Sequence, residues 1–275
     1  MNAHSAVAAG RLPTLYIPHG GGPCFFMDWT IGPADTWDRM AAWLRQIGGA
    51  LGAMPEAIVV VSAHWEAPVV TVTSGVRPAL IYDYYGFPEH TYTLEYDAPG
   101  APHLASEICG LLSRAGISAA EDHDRGFDHG VFIPLKLIFP EAGIPIVQLS
   151  LHHELDASLH LDIGKALAPL RDNGVLILGS GMSYHNLPVM MSGVAVIEDA
   201  DRFDQWLTQS CLMEGAARAE RLRNWHAAPA ARRAHPREEH LLPLMVAAGA
   251  AGDAGARCIF SDRVMGSTVS AYQFD

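Results

Sequence analysis

Three histidines in this sequence stand at the ends of apolar runs. His19 follows TLYIP, His64 follows AIVVVSA, and His185 lies just beyond VLILGSG. In an open α/β sheet, ligands gather at the carboxyl ends of the strands, so residues about 45 and 120 positions apart can converge there. Neutral imidazole suits Fe, Zn, Cu or Ni, and two histidines with one carboxylate hold the iron of non-haem oxygenases. A third donor is therefore expected. HPREEHLL offers Glu238, Glu239 and His240 ahead of Pro243, a residue suited to the first turn of a helix. Either Glu239 or His240 could face the sheet edge, because the following LLPLMVAAGA is apolar all round and sets no phase. Each histidine alone reads more simply as a polar loop residue; three in one topological role read as a site.

His19 opens the run HGGGPCFFMD, which invites two other chemistries. HGGG is an oxyanion-hole motif of lipases and esterases, but that reading needs a G-x-S-x-G nucleophile elbow. Gly181-Met182-Ser183-Tyr184-His185 lacks the second glycine. A phosphate-binding loop would open a helix and carry Lys with Ser or Thr, where this chain continues with Pro23, Cys24 and Phe25. The glycines then serve as clearance, letting the backbone turn tightly and leaving space beside His19.

The elements that must position these residues follow from hydrophobic period. TLYIP (14–18), AIVVVSA (57–63), PVVTVTSG (68–75), IPIVQLSL (144–151) and VLILGSG (175–181) read as strands. The continuous β-branched run of AIVVVSA marks a strand covered on both faces, as in a parallel sheet. TWDRMAAWLRQIGGAL, PHLASEICGLLSRAG, DASLHLDIGKALAPLRDNG, residues 197–222 and HLLPLMVAAGAAG read as helices, and DHGVFIPLKLIFP as a loop entering a helix. Residues 77–100 are aromatic, proline-rich and aperiodic, which predicts a long functional loop with a short helix. SYHNL falls in a loop, AAPAARRAHPREE reads as a mobile segment, and RCIFSDRVMGSTVSAYQFD as two terminal strands. Strands and helices alternate, so the expected fold is one α/β domain over 1–275. Its central sheet should be mostly parallel and flanked by helices, with residues 1–12 a flexible lead-in.

The 275 residues carry 30 acidic and 18 basic side chains, a net charge of −12. That balance argues against nucleic-acid binding, which needs clustered Lys and Arg. Four scattered cysteines form no CxxC pair and suggest a reducing compartment. No run of about 18 or more apolar residues exists, so no membrane span is expected, and a cytoplasmic location follows.

HGGG, SAHWE, GFDHGVFIPLKLIFPEAGIPIVQLSL, GSGMSYHNL and HPREEHLLPLMVAAGA together, in that order, resemble the class III extradiol ring-cleavage dioxygenases. The likeness is to the LigB-type catalytic-subunit family, in its DOPA-dioxygenase branch, and runs from Thr14 to the C-terminus. The resemblance implies Fe(II), with zinc able to take the same site. It assigns His19 and His64 as metal ligands and His240 as the third, with Glu239 the alternative because other branches use a glutamate. It assigns His185 as an acid/base that can also approach the metal, and His129 in FDHG as a pocket residue steering substrate or oxygen. The implied reaction joins a catechol, DOPA-like or related, with O2 to give a ring-opened semialdehyde. A zinc hydrolase using the same site, or a non-catalytic relative of the fold, is the alternative. Many relatives read HGSP where this chain has His19-Gly20-Gly21-Gly22-Pro23, and His235 matches no family role. Trp65, Phe25, Phe26, Tyr84 and Tyr85 are expected as apolar walls.

Overall fold

TLYIP, AIVVVSA and VLILGSG form β1 (Thr14–Pro18), most of β2 (Ala57–Ala67) and β6 (Val175–Gly181). In the computed structural model, which describes residues 11–192 and 197–275, these three lie side by side and parallel, with β6 in the middle. β5 (Ile146–His152) continues the parallel set beyond β2. β3 (Val70–Thr73) then runs antiparallel to β5 and parallel to β4 (Ala119–Asp122) at the edge. On the other side β8 (Ser267–Phe274) runs antiparallel to β1, and β7 (Ala256–Val264) pairs antiparallel with β8. The result is one eight-stranded sheet, order β4-β3-β5-β2-β6-β1-β8-β7. The α/β class with a mostly parallel sheet is as expected.

Helices cover both faces. α1 (Asp38–Ile47) and α3 (His129–Ile138) pack together on one. On the other, α9 (Leu242–Ala251) lies against β1 and β6, with α4 (Ala157–Leu167) over it and α2 (Pro102–Arg114) beside α4. α9 is apolar on every side because every side is buried. Its end therefore cannot hand orphan carbonyls to water. Two buried arginines take them. Arg171 donates to the carbonyl of Ala250 at 3.1 Å, and Arg218 to those of Gly252 and Ala254 at 2.6 and 2.9 Å. Burial pulls the Arg171 guanidinium down to about 10, which leaves it cationic at neutral pH and suited to a helix C-terminus.

Several expectations need correction. β2 continues to Ala67 through a register shift between Val61 and Glu66, so His64 sits within the strand. The helix over 197–222 is two, α6 (Ile197–Cys211) and α7 (Gly215–Arg223), separated by residues 212–214, with Gly215 at φ +32° opening α7. The helix after Asp156 ends at Leu167, and Pro169 opens a 3-10 turn over Ala168–Asn173. β4 and the short α5 (Leu187–Met191) were not expected at all. Residues 1–10 of the expected lead-in lie outside the described residues, but Leu12 is buried and donates its N–H to the carbonyl of Arg171. The stretch 227–239 is packed, with α8 (Ala231–Ala234) inside it and Ala231, Ala234 and His235 buried.

The glycines of VLILGSG serve close approach. A Cβ on Gly181 would lie 2.1 Å from the carbonyl oxygen of His240, and one on Gly179 would lie 2.4 Å from that of Pro243. Gly181→Ala is expected to cost about 1–3 kcal/mol, because β6 and the turn into α9 must separate to admit the methyl. Urea unfolding of the two proteins checks this; an unchanged midpoint would show the contact to be slack.

Candidate metal centre

The strand register brings the first two histidines together. Ser180 of β6 pairs with Ile17 of β1 on one side and with Ser62 of β2 on the other. His19 and His64 each stand two residues past that shared row. Their Nε2 atoms are 3.3 Å apart. His240 arrives from the turn before α9, where Met182 N–H and the Tyr16 hydroxyl both donate to its carbonyl, at 3.1 and 2.8 Å. One ring nitrogen from each of His19, His64 and His240 falls within 4.8 Å of the others. His19 and His240 are buried, and His64 is half-buried.

Glu239 stands in a different place. Its Oε1 accepts from His240 Nδ1 at 2.9 Å and lies 3.4 Å from His185 Nδ1. Its other oxygen lies 3.4 Å from Arg237, whose guanidinium also grips Glu66 through both nitrogens. A carboxylate can only accept, so His240 carries its proton on Nδ1 and keeps a lone pair on Nε2. That Nε2 is buried with no hydrogen-bond partner, as is Nδ1 of His19. Burial first, and the neighbouring histidines next, hold His19 and His240 well below the usual imidazole range. Burial and His129 do the same for His64. The three rings are thus neutral donors at physiological pH, the form a metal takes. The 3.3 Å separation is what two nitrogens bonded at ~2.1 Å to one ion would show. Residues and geometry fit a divalent metal ion.

Beside these rings opens a cavity of about 360 Å³, walled by Trp29, Tyr84, Phe87, Met182, Met190 and Met265. Gly20, Gly21 and Gly22 line it next to His19. Gly20 takes φ +87°, and a Cβ there would strike Cys24 and Phe25. His185 and His129 both reach the cavity. The His185 ring lies flat on His240, centroids 3.3 Å apart. Of the expected walls, Tyr84 and Tyr85 line the cavity, while Phe25, Phe26 and Trp65 do not. Trp65 is buried under the Arg125 guanidinium and Phe25 packs edge-on against Trp37.

Two features escaped the sequence reading. Segment 227–239, whose composition predicts mobility, anchors the SYHNL loop. Ala234 accepts from His185 N–H at 3.0 Å, Arg233 from the Asn186 amide at 2.7 Å, and Ser183 from His235 Nε2 at 2.9 Å. His235, which matched no family role, is this buried strut, and burial pushes it down to about 3. Asp83, whose carboxylate contacts His129 and His64, was not singled out. A lone acid inside the aromatic run YDYYGF was the only available signal.

Fold and site together define an α/β protein with a histidine-lined cleft at the carboxyl ends of its central strands. Residues 13–272 match the family described as the catalytic LigB subunit of aromatic ring-opening dioxygenase, and the chain belongs to that family. A 4,5-DOPA dioxygenase extradiol from Portulaca grandiflora is 45% identical over 205 residues, covering 72% of this chain and 74% of the relative. Dioxygenase tasH from Hapsidospora irregularis is 34% identical over 282 residues, covering 96% and 85%. The crystal structure of the uncharacterised protein JW3007 from Escherichia coli K12 superimposes with a TM-score of 0.77 at 31% identity. It covers 96% of this chain and 100% of that one. No helix among the described residues is long and apolar enough to cross a membrane.

Replacing His64 or His240 by alanine should lower affinity for a divalent metal by more than the ~10–100-fold typical of outer partners. Glu239→Gln should stay within that range. Competition against a chromophoric chelator measures all three, and a Glu239→Gln loss as deep as that of His240→Ala would make Glu239 a ligand.

Proposed function

We propose that this protein is an extradiol dioxygenase that opens the ring of a catecholic substrate, DOPA-like or related, with O2. Ferrous iron would be held by His19, His64 and His240, and the product would be a ring-opened semialdehyde. The observation that carries the reading is the convergence of three neutral imidazole nitrogens on one side of an apolar cavity. The family membership and the printed names of the relatives support the reaction class. Zinc would fit the same three nitrogens, but oxygen chemistry needs a redox-active metal. Iron in this site supplies Lewis acidity toward the catechol oxygens and an electron path to O2.

The protein's own part is positioning, proton handling and exclusion of water. Tyr84, Phe87 and Trp29 give a flat ring apolar surface, and 360 Å³ admits one ring with a short side chain. His185 faces Glu239 through Nδ1 at 3.4 Å, which leaves Nε2 as the nitrogen able to take a phenolic proton. The carboxylate stabilises the imidazolium that results, and the same nitrogen can return the proton later as a general acid. The backbone bond from His185 N–H to Ala234 fixes the height of that ring over His240.

Protein purified without oxygen and loaded with Fe(II) should consume O2 when given a catechol and form a yellow ring-opened product. His185→Ala should slow turnover by about 10²–10⁴-fold while iron content stays at the parent level. Absence of uptake with iron fully loaded, across a panel of catechols, would overturn the proposed reaction.

A further inference from the structure

We propose that Asp83 is a positioning residue that orients both His129 and His64, forming with Glu239 a matched pair of carboxylates. Each is shared between one histidine of the metal cluster and one histidine facing the cavity. Asp83 Oδ1 accepts from the backbone N–H of His129 at 2.9 Å and from its Nδ1 at 2.8 Å. Asp83 Oδ2 lies 3.7 Å from Nδ1 of His64. Glu239 repeats the arrangement on the opposite side, its Oε1 serving Nδ1 of His240 and facing Nδ1 of His185.

The backbone places Asp83 for this task. The segment before it runs along the strand-like approach to α3, with Ile81 N–H donating to Phe127 and Phe127 N–H donating to Ala79, both at 2.8 Å. That pairing delivers the Asp83 carboxylate to the first N–H of α3, where the helix dipole favours an anion.

The consequence is a fixed tautomer. A carboxylate has no proton to give, so His129 must carry its own on Nδ1. Its Nε2 then presents a lone pair, and His129 lines the cavity. The Asp83 charge, 3.7 Å from Nδ1 of His64, favours the same tautomer there, with the lone pair on Nε2, the atom that meets His19. In the neutral ring Asp83 thereby sets His129 as a hydrogen-bond acceptor toward the ligand, and its charge beside Nδ1 of His64 favours turning Nε2 of that ring to the cluster. With His185 in the same state, the cavity offers two acceptors to the two adjacent O–H groups of a neutral catechol.

The part concerning His64 rests on the proposed metal centre; the part concerning His129 does not. The test uses zinc-loaded protein with 15N-labelled histidine, comparing parent, Asp83→Ala and Asp83→Asn. The parent should show His129 protonated on Nδ1. Asp83→Ala should lose that signature and bind zinc about 10–100-fold more weakly in chelator competition. Asp83→Asn should keep the His129 signature, because an amide oxygen still accepts. Its NH2 would confront the His64 Nδ1–H, so zinc affinity should still fall. A thermal midpoint for Asp83→Asn near that of the parent shows that neither change reflects unfolding. An Asp83→Ala protein with the parent's His129 signature and zinc affinity overturns the proposal. A parent that binds no zinc overturns the metal centre and the His64 half, and the His129 signature of the metal-free proteins then decides the other half.

Discussion

The backbone carbonyl of His240 is the point on which the site is assembled. It accepts from the Tyr16 hydroxyl of β1 at 2.8 Å and from Met182 N–H just past β6 at 3.1 Å, and it approaches β6 because Gly181 has no Cβ. β6 is also the strand that sets the height of β1 and β2 on either side. One strand therefore fixes all three imidazoles: His19 and His64 through register, and His240 through a single oxygen. Precision at the cluster follows from this economy of connections. Movement of β6 relative to α9 would move the third ring away from the first two.

The fold was legible wherever the pattern was local. TLYIP, AIVVVSA and VLILGSG are uninterrupted apolar runs because their strands are buried in the middle of a parallel sheet, and the histidines at their ends could be placed from that alone. β4 was not legible, since AAED is polar and half-exposed at the sheet edge and pairs only with β3. Segment 227–239 was misread for a related reason. It is rich in Ala, Arg and Pro, a composition typical of loops, yet it buries small alanines and uses backbone carbonyls to hold His185 and Asn186. Backbone acceptors leave no trace in residue type. Asp83 was missed because its value depends on lying beside residues 127–129, a pairing remote in sequence.

The choice between Glu239 and His240 was likewise out of reach of the sequence. Adjacent residues at a helix entrance point in different directions, and an apolar helix such as α9 gives no phase to say which way. In the structure Oε1 of Glu239 takes Nδ1 of His240, and Arg237 holds the carboxylate from behind while gripping Glu66, two residues beyond His64. On the proposed ligand set, a glutamate so engaged would act on the metal through His240.

That arrangement has an electrostatic logic. A dication bound by three neutral imidazoles keeps its full positive charge, which strengthens its pull on a phenolic oxygen; a carboxylate ligand would have cancelled half of it. Positive charge there would still need compensation, because His19 and His240 are buried. On the proposed ligand set, Glu239 would supply it one hydrogen bond away at Nδ1 of His240, and Asp83 from 3.7 Å beyond Nδ1 of His64. At that remove the negative charge would make the ligand rings more basic and favour their tautomers without occupying a coordination position. The cavity that the three rings line together with Tyr84 and Phe87 would be left to the ligand.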